Sequence, residues 1–155
     1  MRNQTKFTFS FEKLNVYKTA CEFTDKVYEL TEQFPSSEKY DLVRQARRSA
    51  SSVAANLAEG SMRISLKEQA RFSEIAYGSL AETFHHILQA QRLNYLTETE
   101  TDALRPLIFK TSNMINMLRK SQIKRHNSKE ITDPHIRNVA KEEQTEYEYL
   151  KDLPI

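Results

Sequence analysis

The sequence predicts an all-α protein, an antiparallel up-down-up-down four-helix bundle with a C-terminal helical or mobile extension. Its 155 residues include two glycines and four prolines, too few for the many tight turns of a β-sandwich or barrel. Four segments repeat apolar residues every three or four positions, which is the helical period. Short connections join these segments, and helices joined by short connections run antiparallel to their neighbours.

The first helix is predicted from an apolar row that ends at Phe34-Pro35, because the residue before a proline disfavours the helical conformation. The members of this row are Val16, Ala20, Phe23, Val27, Leu30 and Phe34. A second row beside it consists of Leu14, Tyr17, Cys21 and Tyr28. With two apolar rows, this helix is expected to pack against more than one neighbour or against another subunit.

The second helix is expected to begin at Ser36-Ser37, since serine is a favourable N-cap residue. It is expected to end at Gly60, because glycine is favoured at helix C-termini. Its buried row contains small side chains that let a partner helix come close, namely Val43, Ala46, Ala50, Val53 and Leu57.

Capping boxes mark the starts of the third and fourth helices, at Ser65-Leu-Lys-Glu68 and Thr97-Glu-Thr-Glu100. The third helix has the row Phe72, Ala76, Leu80, Phe84 and Ile87, and the fourth has Leu104, Ile108, Thr111, Ile115 and Leu118. Gly78 inside the third helix costs about 1 kcal/mol relative to alanine, which indicates close backbone contact with a neighbouring helix. Pro106 is expected to kink the fourth helix or to mark its true start.

The bundle domain is assigned to residues 1–125 and an acidic extension to residues 126–155. Asp133-Pro134 is typical of a helix start, and a weak apolar row follows it. The extension is therefore expected to be a marginal fifth helix or a mobile arm.

Composition excludes several classes of protein. The single cysteine, Cys21, excludes a disulfide framework and a multi-cysteine zinc site and fits a reducing compartment. No run of 18 apolar residues is present, and residues 1–10 lack the apolar stretch of a secretory signal. A cytoplasmic protein with no membrane partner is expected.

No recognisable set of catalytic residues is present. The sequence has no glycine-rich phosphate loop, no HExxH and no CxxC. Glu82-Thr-Phe-His85 is a single match to a motif that di-iron bundles need twice. The histidines are not spaced as a ligand set. We therefore predict a protein that is not an enzyme and that has no catalytic residues, metal site or cofactor.

The net charge of +2 is unevenly distributed along the chain. Residues 105–129 contain seven basic and no acidic residues, whereas residues 130–155 carry a net charge of −4. The basic stretch can bind phosphate, or it can pair with the acidic tail, which would then imitate a nucleic acid. The sequence leaves both alternatives open.

Polar residues follow one face of the second helix, and two interpretations are open. The face is either a patch of arginines that binds phosphate or a polar network between helices in which Arg48 pairs with Glu59 or Glu82. The candidate network residues are Gln45, Arg48, Asn56, Glu59 and Glu82. The candidate nucleic-acid contacts are Arg44, Arg47, Arg63, Lys67, Arg71, Arg105, Lys110, Arg119, Lys120, Lys124 and Arg125.

Two blocks of sequence resemble a known family. They are Ala55-Asn56-Leu57-Ala58-Glu59-Gly60, preceded by Phe34-Pro35 and Arg47-Arg48, and Gly78-Ser79-Leu80 with Glu82. They look like the signature of bacterial four-helix-bundle proteins encoded within intervening sequences of large-subunit ribosomal RNA genes. The resemblance covers roughly residues 10–122.

The resemblance implies an antiparallel bundle that assembles into a ring-like homopentamer with a central pore. It also implies similarity to the accessory variability proteins of diversity-generating retroelements. Those proteins share the pentameric bundle and bind nucleic acid and a reverse transcriptase through basic surfaces. The label "ribosomal protein" that members often carry reflects where some of their genes lie.

Two functions are therefore expected. The first is a non-enzymatic oligomer that binds RNA or DNA through the phosphate backbone. The chain has no tryptophan, and its other aromatic residues fall mostly on the bundle seams, so no platform for base stacking is predicted. The alternative is a protein-interaction scaffold that assembles with a partner protein such as a reverse transcriptase, without binding nucleic acid.

Overall fold

The computed structural model describes residues 7–132 and has four long helices within that range. They are α1 (Asn15–Thr31), α2 (Leu42–Ser61), α3 (Leu66–Arg92) and α4 (Glu98–Thr132). Short 3-10 helices at Ser10–Lys13 and Ser36–Tyr40 precede α1 and α2. The described residues include no strand, and the predicted all-α class is confirmed.

Each helix packs against two neighbours. α1 and α3 both contact α2 and α4, whereas the diagonal pairs α1–α3 and α2–α4 make no contact within the described range. The connections between consecutive helices are short, so consecutive helices run antiparallel. This is the predicted up-down-up-down bundle.

The predicted apolar rows form one core in the middle of the bundle. Its largest fully buried apolar side chains are Phe23, Val27, Val53, Ile87 and Ile115. Burying a side chain of this size stabilises the folded state by about 1.5–3 kcal/mol. The second row on α1 is only partly covered: Leu14, Tyr17 and Cys21 are half-buried and Tyr28 is exposed.

α2 begins later than the sequence suggests. Ser36 and Ser37 lie in the preceding 3-10 helix, and α2 starts at Leu42. The side chain of Asp41, at the N-cap position, makes no capping hydrogen bond. The backbone N–H of Leu42 instead donates to the Glu38 carboxylate at 3.4 Å. The predicted serine cap is wrong because a carboxylate four residues before Leu42 accepts from its free amide.

Both glycines have roles that differ from those predicted. α2 continues past Gly60 to Ser61, and no described glycine has a positive φ, so Gly60 is not a C-cap. It is buried against Phe72 of α3 instead. Gly78 is exposed, and a Cβ added there would meet nothing within 4 Å in the described chain. The close helix contact predicted for Gly78 is therefore found at Gly60.

Caps define the starts of α3 and α4 and the end of α3. Ser65 accepts from the Glu68 amide at the start of α3, whereas the Glu68 carboxylate pairs with Arg71, so only half of the capping box predicted there is present in the described chain. Thr97 and Glu100 bond to each other's amides at the start of α4, as predicted. Asn94, with φ of 60°, ends α3, and the Tyr95 N–H reaches the Ala90 carbonyl at 2.9 Å. This is a Schellman-type C-terminus.

α4 runs from Glu98 through Pro106 without a break, so Pro106 does not mark the start of the helix. The helix also continues past residue 125 to Thr132. The helix predicted from Asp133-Pro134 lies outside the described residues.

Candidate nucleic-acid interface

The topology brings the α2–α3 turn and the C-terminal half of α4 to the same end of the bundle. The Ser73 hydroxyl donates to Gln122 Oε1 at 2.8 Å, and Arg119 Nη2 lies 3.3 Å from Glu74 Oε1. Seven of the predicted nucleic-acid contacts therefore share this end. We call them the basic end: Arg63, Lys67, Arg71, Arg119, Lys120, Lys124 and Arg125.

Charge is separated along the bundle. The segments that form this end, residues 10–18, 56–75 and 115–129, carry ten basic and four acidic residues. Residues 19–55 and 76–114, which form the rest of the bundle, carry eight basic and ten acidic residues. Within residues 10–129, positive charge is therefore concentrated at one end of the bundle.

Three cations of the basic end have acidic partners. The ion pairs are Arg63 with Glu59, Arg71 with Glu68 at 3.4 Å, and Arg119 with Glu74 at 3.3 Å. All six side chains are substantially exposed to solvent. Pairs of this kind contribute about 0–1 kcal/mol to stability, so a phosphate can replace the carboxylate at little cost.

The other four cations of the basic end are exposed to solvent. Lys67, Lys120, Lys124 and Arg125 have no acidic partner in the part of the chain that the structure describes. Lys67 lies at the start of α3 and the other three lie on α4. Their charges are therefore available for phosphate.

Arg44 and Arg47, also predicted as nucleic-acid contacts, lie near the start of α2, away from the basic end. Arg47 Nε donates to the Thr31 hydroxyl at 2.8 Å, and its guanidinium stacks 4.5 Å from the Tyr28 ring centre. Arg47 thus ties α2 to α1. Arg44 is exposed to solvent.

The last two predicted contacts, Arg105 and Lys110, lie on the first half of α4. Arg105 Nε donates to Asp102 at 2.6 Å, and its guanidinium lies 5.0 Å from the Phe84 ring centre. Lys110 Nζ is 3.9 Å from a carboxylate oxygen of Glu22 on α1. The structure does not bring these two cations to the basic end.

The polar face of α2 forms a network, although not the one expected. Asn56 Nδ2 donates to the Ser52 carbonyl at 2.7 Å and to its hydroxyl at 2.9 Å. The Ser52 and Ser79 hydroxyls, 3.0 Å apart, join α2 to α3. Gln45 and Arg48 are exposed instead.

Neither expected partner of Arg48 pairs with it. Glu59 pairs with Arg63, and Glu82 Oε1 lies 3.7 Å from His86 Nε2. Each carboxylate lies four residues from its partner: Glu82 and His86 are both on α3, and Arg63 follows the end of α2, which carries Glu59. The groups nearer in sequence therefore take the carboxylates.

Two buried hydrogen bonds between helices were not predicted. Thr83 Oγ1 donates to Ser49 Oγ at 2.9 Å between α2 and α3, and Ser73 bonds to Gln122 between α3 and α4. The signal in the sequence is a set of hydroxyl residues placed beside the apolar rows at helical spacing. Such residues pair when two helices bring their rows together.

A line of aromatic rings leads to the basic end, a grouping that was not predicted from the sequence. Successive ring centres of Phe7, Phe9, Phe11 and Tyr17 are 4.9, 5.6 and 4.9 Å apart. Phe7 is 77% exposed and Phe9 44%. The Ser10 hydroxyl lies 3.7 Å from Met62 Sδ, which places this segment against the α2–α3 turn.

Tyr17 closes the aromatic line on α1. A hydrogen bond with Cys21, together with burial, raises the pKa of the Tyr17 hydroxyl. Tyr17 therefore stays neutral at physiological pH and adds no negative charge beside the basic end.

A cavity of about 280 Å³ opens between the helices at the basic end. Three leucines, Leu14, Leu57 and Leu118, supply its apolar wall, and Gln69, Gln122 and Arg125 are among its polar groups. It lies where α1 and α3 begin, where α2 ends and where α4 passes residue 125.

Residues 7–132 contain neither a metal-binding cluster nor a membrane-spanning helix. No group of three or more His, Cys, Asp or Glu side chains there is placed to hold a metal ion. None of the described helices is both long and apolar enough to span a bilayer.

Comparison with known proteins gives one family and one fold. The model of the 23S rRNA-intervening sequence protein family matches residues 12–117. A solved protein of unknown function from the S23 ribosomal protein family of Bacteroides thetaiotaomicron VPI-5482 is 20% identical, with a TM-score of 0.62 over 68% of this chain and 95% of that chain. This similarity shows the fold alone. No curated protein matches the chain.

Proposed function

The chain belongs to the 23S rRNA-intervening sequence protein family, and from that premise we propose that it is a non-enzymatic, oligomeric protein that binds RNA or DNA. The basic end is the proposed contact surface, and it carries the proposal. It gathers seven predicted contacts from two distant parts of the sequence, four of them without an acidic partner in the described chain.

The chemistry of the basic end suits the phosphate backbone. Lysine and arginine neutralise phosphates and release condensed counterions, which gives affinity without base recognition. The side chains of the basic end lie on the α2–α3 turn, at the start of α3 and on the C-terminal half of α4. Contacts to phosphate carry no base information, so sequence-independent binding is proposed.

Assembly would multiply this charge. The resemblance implies a homopentamer, and several copies of the basic end on one particle would engage a strand at several places at once. Linked sites can raise avidity by about 10²–10⁴ over a single site. The oligomer is therefore part of the proposed function.

The test measures binding to duplex DNA and single-stranded RNA at several salt concentrations, with the oligomer mass fixed by light scattering. The variant removes the four unpaired cations: Lys67→Ala, Lys120→Ala, Lys124→Ala and Arg125→Ala. On duplex DNA each phosphate contact contributes about 0.9 to the log–log salt slope, so the slope should fall by about 3–4 if all four bind phosphate.

A matched control removes four cations outside the basic end: Arg44→Ala, Arg48→Ala, Arg92→Ala and Lys110→Ala. Both variants lose the same total charge. Equal loss of slope in the two variants would refute the basic end as the contact surface, since net charge alone would then explain binding.

Exposed apolar residues on α4 favour a second candidate, a protein-interaction scaffold. Phe109 is 68% exposed and Met117 71%, and both lie away from the core positions Thr111 and Ile115. Exposed large apolar side chains often mark interaction surfaces. The double variant Phe109→Ser, Met117→Ser should then lose its oligomer mass or its protein partner while keeping its thermal stability.

A further inference from the structure

We propose that the cavity at the basic end is a nucleotide pocket, which holds one base between the helices and its phosphate on Arg125. This inference rests on the proposed function, because the ligand is one unit of the same nucleic acid. A free mononucleotide offers the same chemistry. The cavity, of about 280 Å³, is near the lower limit of about 300 Å³ for small-molecule sites, so it suits one base.

The walls of the cavity suit a flat aromatic ligand. Leu14, Leu57 and Leu118 line it from three different helices or their ends. Leu57 is 2% exposed and belongs to the core, so this wall is fixed by packing. An apolar slot with a few placed polar groups is the usual form of a small-molecule site.

A buried glutamine supplies the first polar group. Gln122 is 5% exposed, and its Oε1 accepts from the Ser73 hydroxyl at 2.8 Å. The amide nitrogen of Gln122 makes no hydrogen bond to the described part of the chain. Gln122 lines the cavity, and its amide nitrogen is not one of the fully buried atoms without a partner, so this nitrogen is open to solvent. It is therefore a donor held in place by Ser73 and available to a ligand.

A second glutamine in the lining of the cavity, Gln69, supplies an acceptor. Gln69 Nε2 donates to the Arg63 carbonyl at 2.7 Å, which fixes the carboxamide and leaves its oxygen free within the described chain. The two glutamines thus present one donor and one acceptor. The edge of a base also carries hydrogen-bond donors and acceptors, and glutamine is a common partner for them.

The phosphate is assigned to Arg125. Arg125 lines the cavity and is exposed, and it has no acidic partner within residues 7–132. Arginine binds phosphate through paired charge-assisted hydrogen bonds. A base in the slot and a phosphate on Arg125 account for the apolar, polar and charged parts of the lining together.

The experiment titrates the full chain with AMP, GMP, CMP, UMP and inorganic phosphate, followed by calorimetry. Saturable binding of at least one nucleotide, at least tenfold tighter than phosphate, is expected. The blocking variant is Ser121→Tyr, which places a ring in the cavity from an exposed position. It should weaken nucleotide binding at least tenfold, while the matched control Asn113→Tyr, exposed on α4 and outside the lining, should not.

The outcomes separate this inference from the proposed function. If RNA binds with a steep salt slope and no nucleotide binds, the pocket is refuted and the proposed function stands. If a nucleotide binds and RNA does not, the pocket stands as a site for free nucleotide and the proposed function falls. Binding of phosphate as tight as that of every nucleotide would also refute the pocket, since the base would then contribute nothing. Thermal melting of Ser121→Tyr confirms that the variant is folded.

Discussion

A Cβ built on Gly60 would lie 2.7 Å from the Cβ of Phe72, a separation that two side chains do not tolerate. Because the Phe72 Cβ is attached directly to the α3 backbone, it cannot move aside without moving the helix. α2 and α3 therefore meet at this point only as long as residue 60 has no side chain.

Gly60→Ala should lower the free energy of unfolding by about 1–3 kcal/mol, as overpacking in a closed core does. Gly78→Ala is the matched comparison, since it makes the same change in a helix where nothing lies within 4 Å. It should raise the free energy of unfolding by about 0.5–1 kcal/mol, because alanine forms helix better than glycine. Urea denaturation measures both, and loss of stability in Gly78→Ala would contradict this account.

The buried hydrogen bond between Thr83 and Ser49 should contribute measurably to the free energy of unfolding. Thr83→Val keeps the shape of the side chain and removes the donor, so unfolding should become easier by about 1 kcal/mol. The double variant with Ser49→Ala should cost less than the sum of the single changes, because both remove the same bond. Strict additivity would show that the bond contributes nothing. Ser112→Ala, whose hydroxyl bonds only within its own helix, is the control.

Arg47 should affect stability and leave nucleic-acid binding unchanged. Its bond to Thr31 and its stacking on Tyr28 join α1 to α2, so Arg47→Ala should destabilise the protein by about 1–2 kcal/mol. Arg44→Ala, an exposed site nearby, should stay within about 0.5 kcal/mol. If chemical denaturation showed Arg44→Ala to be more destabilising than Arg47→Ala, the contacts of Arg47 would not explain its effect on stability. A lower salt slope for Arg47→Ala would indicate that Arg47 contacts nucleic acid.

Glu100 should make stability depend on acid pH. The Thr97 backbone N–H and hydroxyl and the Gln33 amide hold the pKa of Glu100 below its usual value. The folded state therefore binds this proton less readily than the unfolded state. The stability that Glu100 contributes is fully present above its unfolded pKa of about 4.3 and is lost as the pH falls through the lower folded value.

The corresponding measurement compares wild type with Glu100→Gln by urea denaturation between neutral and acid pH. The wild type should be the more stable at neutral pH, and the difference should shrink as the solution is acidified below the unfolded pKa. Glu98→Gln removes a charge from the same helix start without touching the cap. Matching pH profiles for the two variants would argue against the capping contacts as the cause.

The exposed ring of Phe9 should add affinity for single strands. Stacking of a base on an aromatic ring contributes about 1–3 kcal/mol, so Phe9→Ala should weaken binding of single-stranded RNA by about tenfold. The salt slope should not change, because no charge is removed. Phe109→Ala removes another exposed ring elsewhere on the bundle. If both variants bind RNA as wild type does, the aromatic line is not part of the interface.

Much of the fold could be predicted because helical period and capping are local properties. The rows on all four helices and the caps at Ser65 and Thr97 depend on residues a few positions apart, and the structure confirms them. The predicted start of α2 was wrong because residues 36–40 form a 3-10 helix and the Glu38 carboxylate accepts from the free amide of Leu42. The predicted roles of the two glycines were wrong because they depend on the packing of α2 against α3, which the sequence does not show: Gly60 meets Phe72, and Gly78 meets nothing within 4 Å in the described chain.

The candidate site was predictable as a set of residues and not as an arrangement. Sequence separates Arg63 from Arg125 by more than sixty positions, and the antiparallel packing of α2, α3 and α4 brings both to one end. The same packing places Arg105 and Lys110 away from that end, although they belong to the same basic stretch of sequence. Which cations act together is therefore a property of topology, whereas the composition of the stretch is a property of sequence.

The separation of charge along residues 10–129 gives this part of the chain an electric dipole whose axis follows the helices. In the field of a polyanion, such a dipole experiences a torque before any contact forms, and the cationic end turns towards the strand. Attraction then depends on orientation far more than a net charge of +2 suggests, and low salt should accelerate association. A strand would meet the protein end-on, with the aromatic line and the cavity already facing it.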